Sequence, residues 1–496
     1  MTNYKYPDSP DWLKDLFIYE INTKGFTSPN GPESGTFKST QEKLPYLADL
    51  GINAIWLSGH SLGHDSFFYN IWTQYTVFDP DQIDPGLGTD QDFRDLIEAA
   101  HAYGIRVILE LVGHGVMKNS PLVEAHPDWF KGESWGMSDY DFEAKNPELD
   151  NWWVDLWTKY IVDYGIDGYR VDLGMRRPDL WKRIRENVAK TGKEIVIINE
   201  LEYEGANEYI RQSGITDIVP IDDFIEVIDF VQRDRYTVLD PHHISWEEDY
   251  CKDGRAHEWT IERWEQWLDY ALGQQTNDMV PRWAWSSVQL SCHDDGWDGF
   301  QGDNPFVAQG SRMIFGYGLC FSGMIPIMMA GEEFDADYTP IPTLSPDLFG
   351  GANPGEGKWL YGSMLQWDQL EADRHREMLD DAKKIIAIRN HEIEILGAQP
   401  NTTSKHIKRV PFKSNYPTVS PYLRWNNEAA VVIVGNIHTD RDITVTVNLE
   451  DLNVQAPLQL TNLLTGETNQ HHEQALTVTV PPDKTPGGGL AIMKLH

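Results

Sequence analysis

The chain has 496 residues, 41% of them hydrophobic, which places it among globular proteins with room for one large domain and a smaller one. Acidic residues outnumber basic ones 77 to 41, and the net charge of −36 repels phosphate backbones and anionic lipid. This argues against nucleic-acid and membrane partners and suits a neutral substrate. Cys251, Cys292 and Cys320 form no disulfide framework and show no metal-ligand spacing. Met1 to Asp11 is polar without an apolar signal core, and no apolar run reaches spanning length, so a cytoplasmic protein is expected.

Leu16 to Asn22 reads as a strand and Ser39 to Leu50 as an amphipathic helix stopped by Gly51. Ile52 to Leu57 is the next apolar strand, and the long aromatic loop after it ends in Asp84-Pro85-Gly86-Leu87-Gly88-Thr89. Asp90 to Tyr103 is helical, closed by Gly104. Ile105 to Val112 is apolar at nearly every residue, as expected of a strand buried on both faces. The alternation continues with helix Leu149 to Tyr164, strand Gly168 to Leu173, helix Pro178 to Ala189 and strand Glu194 to Leu201. Ile215 to Ile221, Val288 to Cys292 and Ile325 to Met329 complete the strands, with helix Phe306 to Leu319 before the last and helix Arg374 to Asn390 after it.

Eight strands, each followed by helix, predict an α/β fold of the (β/α)8 barrel type over residues 1–112 and 148–397. The rival, an open doubly wound sheet, lacks a glycine-rich phosphate fingerprint after its first strand. Residues 113–147 are too long for an ordinary connection and predict a small inserted domain after the third strand. From residue 398 to 496, short strands split by Asn, Gly, Pro and Asp predict an all-β sandwich.

The candidate chemistry lies at strand ends. In Gly168-Tyr169-Arg170-Val171-Asp172, alternation puts Arg170 and Asp172 on one face, where the arginine favours the ionised carboxylate. A carboxylate nucleophile and a structural ion pair both fit this stretch taken alone. Glu200 falls near the end of the fifth strand and Asp294 at the end of the seventh, in Cys292-His293-Asp294. Barrel enzymes keep catalytic groups at strand C-termini, and paired carboxylates are the machinery of glycoside hydrolysis.

These motifs, in this order, resemble the α-amylase family of retaining glycosidases and transglycosidases. Tyr69 with Asp84 to Thr89 is similar to the loop after the second strand, Gly168 to Asp172 to the nucleophile motif, and His293-Asp294 to the last catalytic pair. Met324 to Glu333 resembles the eighth-strand segment. The resemblance implies that Asp172 attacks the anomeric carbon, that Glu200 is the acid/base, and that Asp294 holds sugar hydroxyls in the distorted state. It further implies that Arg170 steadies Asp172, that His293 contacts the sugar and that Tyr69 stacks on it. A lone histidine is more often a core residue; the place of His293 beside Asp294 favours the substrate reading.

Departures surround the sugar site. In Glu110-Leu111-Val112-Gly113-His114-Gly115, Glu replaces the family's usual Asp, His114 its Asn and Gly115 its His. The usual histidine contact and the Asn that often ligates calcium are thus absent, so no metal and no cofactor are expected. His114 reads either as a sugar contact or as a solvated loop residue. Leu173-Gly174-Met175-Arg176 lacks the Lys-His pair of starch-cleaving members, and Arg176 reads either as an acceptor-side contact or as a surface ion pair. The expected partner is a neutral carbohydrate, with α-glucosidic bonds in oligosaccharides or short α-glucans as the substrate. Transglycosidase, isomerase and phosphorylase are alternatives on the same machinery, and a non-catalytic glucan-binding barrel is the rival outside enzymes.

Overall fold

The structure is a computed structural model that describes residues 10–31, 34–63, 75–134, 136–172, 177–199, 218–220, 285–289, 312–320, 323–336, 338–340, 363–399, 406–436 and 438–496. Eight parallel strands close into a barrel: β1 (Ile18–Asn22), β2 (Ala54–Ser58), β3 (Arg106–Leu111), β4 (Gly168–Val171), β5 (Val196–Asn199), β6 (Ile218–Pro220), β7 (Trp285–Gln289) and β8 (Ile325–Met329). Each strand pairs with the next, and β8 returns to β1 with Ile327 opposite Ile18. Every residue of β1, β2, β4 and β8 is buried, as expected of a sheet covered on both faces.

Alternation sorts the side chains into two apolar layers. Ile18, Ala54, Trp56, Ile108, Val196, Ile198, Ile325 and Ile327 pack together inside the barrel. Their neighbours Tyr19, Ile55, Leu57, Val107, Leu109, Tyr169 and Ile197 face the surrounding helices. The helices start where their caps dictate. Thr89 and Asp92 form a reciprocal capping box ahead of Asp90–Ala102, and the Asn146 side chain accepts from the Glu148 amide at the head of Pro147–Lys159. The helix expected over Ser39 to Leu50 is instead two pieces, Phe37–Gln41 and Leu44–Leu50, with Pro45 in the first turn of the second. No described helix is long and apolar enough to cross a membrane.

After β3 the chain builds a three-stranded antiparallel sheet from Gly115–Met117, Met137–Tyr140 and Phe130–Ser134, with Met137–Tyr140 in the middle. Tyr140 and Phe142 contact Trp152 and Trp153 of the following helix, which ties this sheet to the barrel rim. The C-terminal part is a six-stranded sheet facing a three-stranded one. Ala475–Val480 alternates exposed and buried residues and Ile443–Asn448 alternates buried with less buried ones, and their inner side chains join Val432, Val434 and Leu495 in a separate core.

Candidate active site

Parallel register brings charged residues of neighbouring strands side by side. Glu110 of β3 lies opposite Arg170 of β4, and Arg170 lies opposite Ile198 of β5. Glu110 stands two residues beyond Ile108, so it projects above the apolar layer inside the barrel. Its carboxylate accepts from Trp56 Nε1 at 2.6 Å and from Arg170 Nη1 at 2.5 Å. The Arg170 guanidinium also lies 4.9 Å from the Trp56 ring centroid, an additional cation–π contact. Glu110 and Trp56 thereby fix the arginine from below.

Asp172 follows β4 directly, and its amide is held by the Leu111 carbonyl at 3.0 Å. The side chain is largely buried, and each oxygen faces a different base. Arg170 Nη1 lies 3.4 Å from Oδ1, and His114 Nε2 lies 3.4 Å from Oδ2. The other imidazole nitrogen, Nδ1, lies 3.6 Å from Asp139 Oδ1, which also accepts the Ser134 hydroxyl at 2.5 Å. Burial works against a charge on His114, but the neighbouring carboxylates of Asp139 and Asp172 outweigh it and hold the imidazole above the ordinary histidine pKa.

His114 is therefore not a solvated loop residue; it is 6% exposed and pinned between two carboxylates. Its neighbour Gly115 cannot carry a side chain where the chain now runs. A Cβ there would lie 2.3 Å from the Ser138 carbonyl oxygen, because the inserted sheet passes against it. The missing histidine at 115 is thus a steric consequence of how this sheet packs.

The sequence-predicted residues Asp172, Arg170 and His114 meet in one cluster. Glu200, Asp294, His293, Tyr69 and Arg176 lie outside the described residues. Sequence reasoning did not single out Trp56, Asp139 or the anchoring role of Glu110, although Glu110 was visible as a departure in its motif. It also missed two ion pairs on the same rim. Lys24, just past β1, meets Asp84 at 2.6 Å, and Asp84 Oδ1 accepts the Gly86 amide at 2.7 Å. Arg177, with φ of 57°, grips Asp150 at 2.6 Å and 2.8 Å and Asp179 at 2.7 Å. It thereby joins the helix after β4 to the one before it. Its hydrogen bonds to Asp179 and Asp150 raise its pKa further.

Calcium takes six to eight oxygen ligands. The described residues here put imidazole nitrogens at the centre of the cluster and do not fit such a site. Among the described residues, no group of three or more His, Cys, Asp and Glu is placed to hold a metal ion.

The family model described as the catalytic domain of alpha amylase matches residues 19–121. The chain is related to the α-amylase family. The α-amylase match runs through β1, β2 and β3 into the inserted sheet, so it contains Trp56, Glu110, His114 and Gly115. A cyclomaltodextrinase of Thermoanaerobacter pseudethanolicus is 26% identical over 270 residues, 45% of this chain and 46% of that protein. A trehalose synthase of Pimelobacter sp. is 32% identical over 207 residues, 33% of this chain and 35% of that protein. The matches thus span less than half the length of these curated relatives. The crystal structure of an α-amylase from Geobacillus thermoleovorans, complexed with acarbose, superposes with a TM-score of 0.68. It covers 99% of both chains at 19% identity, a likeness of fold across barrel, inserted sheet and C-terminal β sheets.

Proposed function

We propose that this chain is a retaining α-glycoside hydrolase that cleaves α-glucosidic bonds in oligosaccharides or short α-glucans. The observation that carries the reading is the setting of Asp172: a carboxylate at the C-terminal end of a barrel strand, with Arg170 at one oxygen and His114 at the other. In this reading residues 1–112 and 148–397 form the catalytic barrel, 113–147 the inserted domain over its mouth, and 398–496 the C-terminal sandwich.

Asp172 attacks the anomeric carbon while Glu200 gives its proton to the leaving glycosidic oxygen, forming a β-linked glycosyl ester. Glu200, now a carboxylate, takes a proton from water, and that water displaces Asp172 with a second inversion. The product keeps the α configuration. Asp294 and His293 hold sugar hydroxyls, Tyr69 stacks on the ring, and Arg176 lines the acceptor side. The acidic surface and the "intracellular maltogenic amylase" of Bacillus subtilis, 24% identical over 246 residues, support a soluble carbohydrate substrate in the cytoplasm. Proton NMR of the first product formed from maltotriose tests the reading. The α-anomer is expected, and Asp172→Asn should abolish turnover while the protein stays folded. A β-anomer, or full activity of that variant, refutes it.

The trehalose synthase likeness favours a second reading, an isomerase that returns the glycosyl group to a sugar hydroxyl instead of water. Incubation with maltose separates the two: glucose alone supports hydrolysis, and a non-reducing disaccharide supports isomerisation. Added phosphate tests for a phosphorylase in the same assay.

A further inference from the structure

We infer that His114 works as an imidazolium and is a positioning residue that locks Asp172 to the inserted sheet. The inference rests on the reading of Asp172 as the nucleophile. Its basis is the number of protons on the ring. A neutral imidazole has one N–H and one lone pair. Here Nε2 faces Asp172 Oδ2 at 3.4 Å, and Nδ1 faces Asp139 Oδ1 at 3.6 Å, an ion-pair contact just beyond hydrogen-bond length. Either neutral tautomer would turn a lone pair toward a buried carboxylate oxygen. Only the doubly protonated ring presents a donor on both sides.

The surroundings fit that charge. Asp172 comes from the end of β4, and Asp139 from the central strand of the inserted sheet, where it registers with Gly115. Beyond Asp172 stand Arg170 and then Glu110. Among the described residues the signs alternate along the row Asp139, His114, Asp172, Arg170, Glu110. The two carboxylates also hold the ring above the ordinary histidine pKa in spite of its burial.

The consequence is mechanical as well as electrostatic. Asp172 has one cationic donor at each oxygen, so its carboxylate plane is fixed from two directions. One of those donors belongs to a row anchored in the inserted sheet. A shift of that sheet, or loss of either ring proton from His114, breaks the row: the neutral ring can donate to Asp172 or to Asp139 but not to both, and Asp172 is no longer tied to the inserted sheet.

The test joins imidazole NMR with kinetics on an activated aryl α-glucoside. The His114 resonance, assigned by its loss in His114→Gln, should titrate above the ordinary value of 6.5. Asp139→Asn should lower that midpoint, and the alkaline limb of kcat should move down with it. His114→Gln should lose about tenfold to a hundredfold in kcat with little change in KM, as expected when a hydrogen bond to a charged group is removed. Wild-type kcat in His114→Gln, or an unmoved titration and alkaline limb in Asp139→Asn, overturns the inference. If His114→Gln fails to fold, Asp139→Asn, which keeps the imidazole, carries the test alone. Asp172→Asn run alongside separates the two levels. If it stays active, the nucleophile reading fails and takes this inference with it. If it is dead while the His114 and Asp139 variants behave as wild type, only this inference fails.

Discussion

His60 offers a clean perturbation of stability. It follows β2 and lies between two helices, its ring 4.8 Å from Tyr160 and 6.1 Å from Phe93. It is 3% exposed, and its Nε2 has no hydrogen-bond partner among the described residues. Burial lowers its pKa from 6.5 to about 3. The folded state therefore keeps His60 neutral, while the unfolded chain takes up a proton below pH 6.5. With the folded value depressed, the stability it contributes is complete above the unfolded pKa and is lost as pH falls from 6.5 toward 3. At 1.36 kcal/mol per pH unit, the loss between pH 7 and pH 5 is about 2 kcal/mol. Replacing the ring by His60→Phe removes the titration and keeps an aromatic body between Phe93 and Tyr160. Denaturant unfolding of both proteins at pH 7, 6 and 5, followed by tryptophan fluorescence, isolates the effect, because all other titrations cancel in the difference. The advantage of His60→Phe over wild type should grow by about 2 kcal/mol from pH 7 to pH 5. A difference that does not change with pH would refute the reasoning, whatever its absolute size.

Glu200→Gln should lose turnover on natural oligosaccharides and keep part of its first-step rate on substrates with good leaving groups; equal losses on both would show that Glu200 is not the acid. Chelator treatment should leave activity and melting temperature unchanged, since imidazole nitrogens and Gly115 stand where calcium would need oxygens; a clear drop in either would reveal a site elsewhere. Soluble starch should be a poorer substrate than a short or differently linked glucoside such as isomaltotriose. Gly115 has no side chain with which to contact a sugar, and Leu173, the residue after Asp172, offers no side-chain hydrogen bond. Comparison of kcat/KM on maltotetraose, isomaltotriose and starch decides it, and starch as the best of the three would show that these departures do not affect specificity.

The barrel was legible because parallel strands covered on both faces must be apolar nearly throughout. Ile325 to Met329 and Leu490 to Leu495 have the bounds read from sequence. The reading slipped where polar residues enter the closed sheet. Strand β7 begins at Trp285, three residues before the expected start at Val288, because Ser287 is buried in the wall and breaks no backbone pattern; Leu290 to Cys292 lie outside the described residues. Thr468–His471 was missed because it is a polar, exposed strand at a sheet edge, without the alternation that marks its partners. At the site, the Arg170 and Asp172 pairing followed from period-two alternation alone. The fate of His114 did not. Its burial depends on Asp139, 25 positions away, and on a strand register that brings Asp139 opposite Gly115. No local pattern encodes that register. The role of Glu110 was hidden for a related reason: its partners Trp56 and Arg170 come from two other strands.

The most direct test of Asp172 as nucleophile is to trap the covalent intermediate. A fluorinated α-glucosyl donor with a good leaving group slows the second step and lets the glycosyl-enzyme accumulate. Intact-mass spectrometry should then show the addition of one glycosyl unit, and peptide mapping should place it on Asp172, in the peptide that contains Tyr169 and Arg170. Label on another carboxylate, or turnover with an inverted product and no label at all, would contradict the assignment.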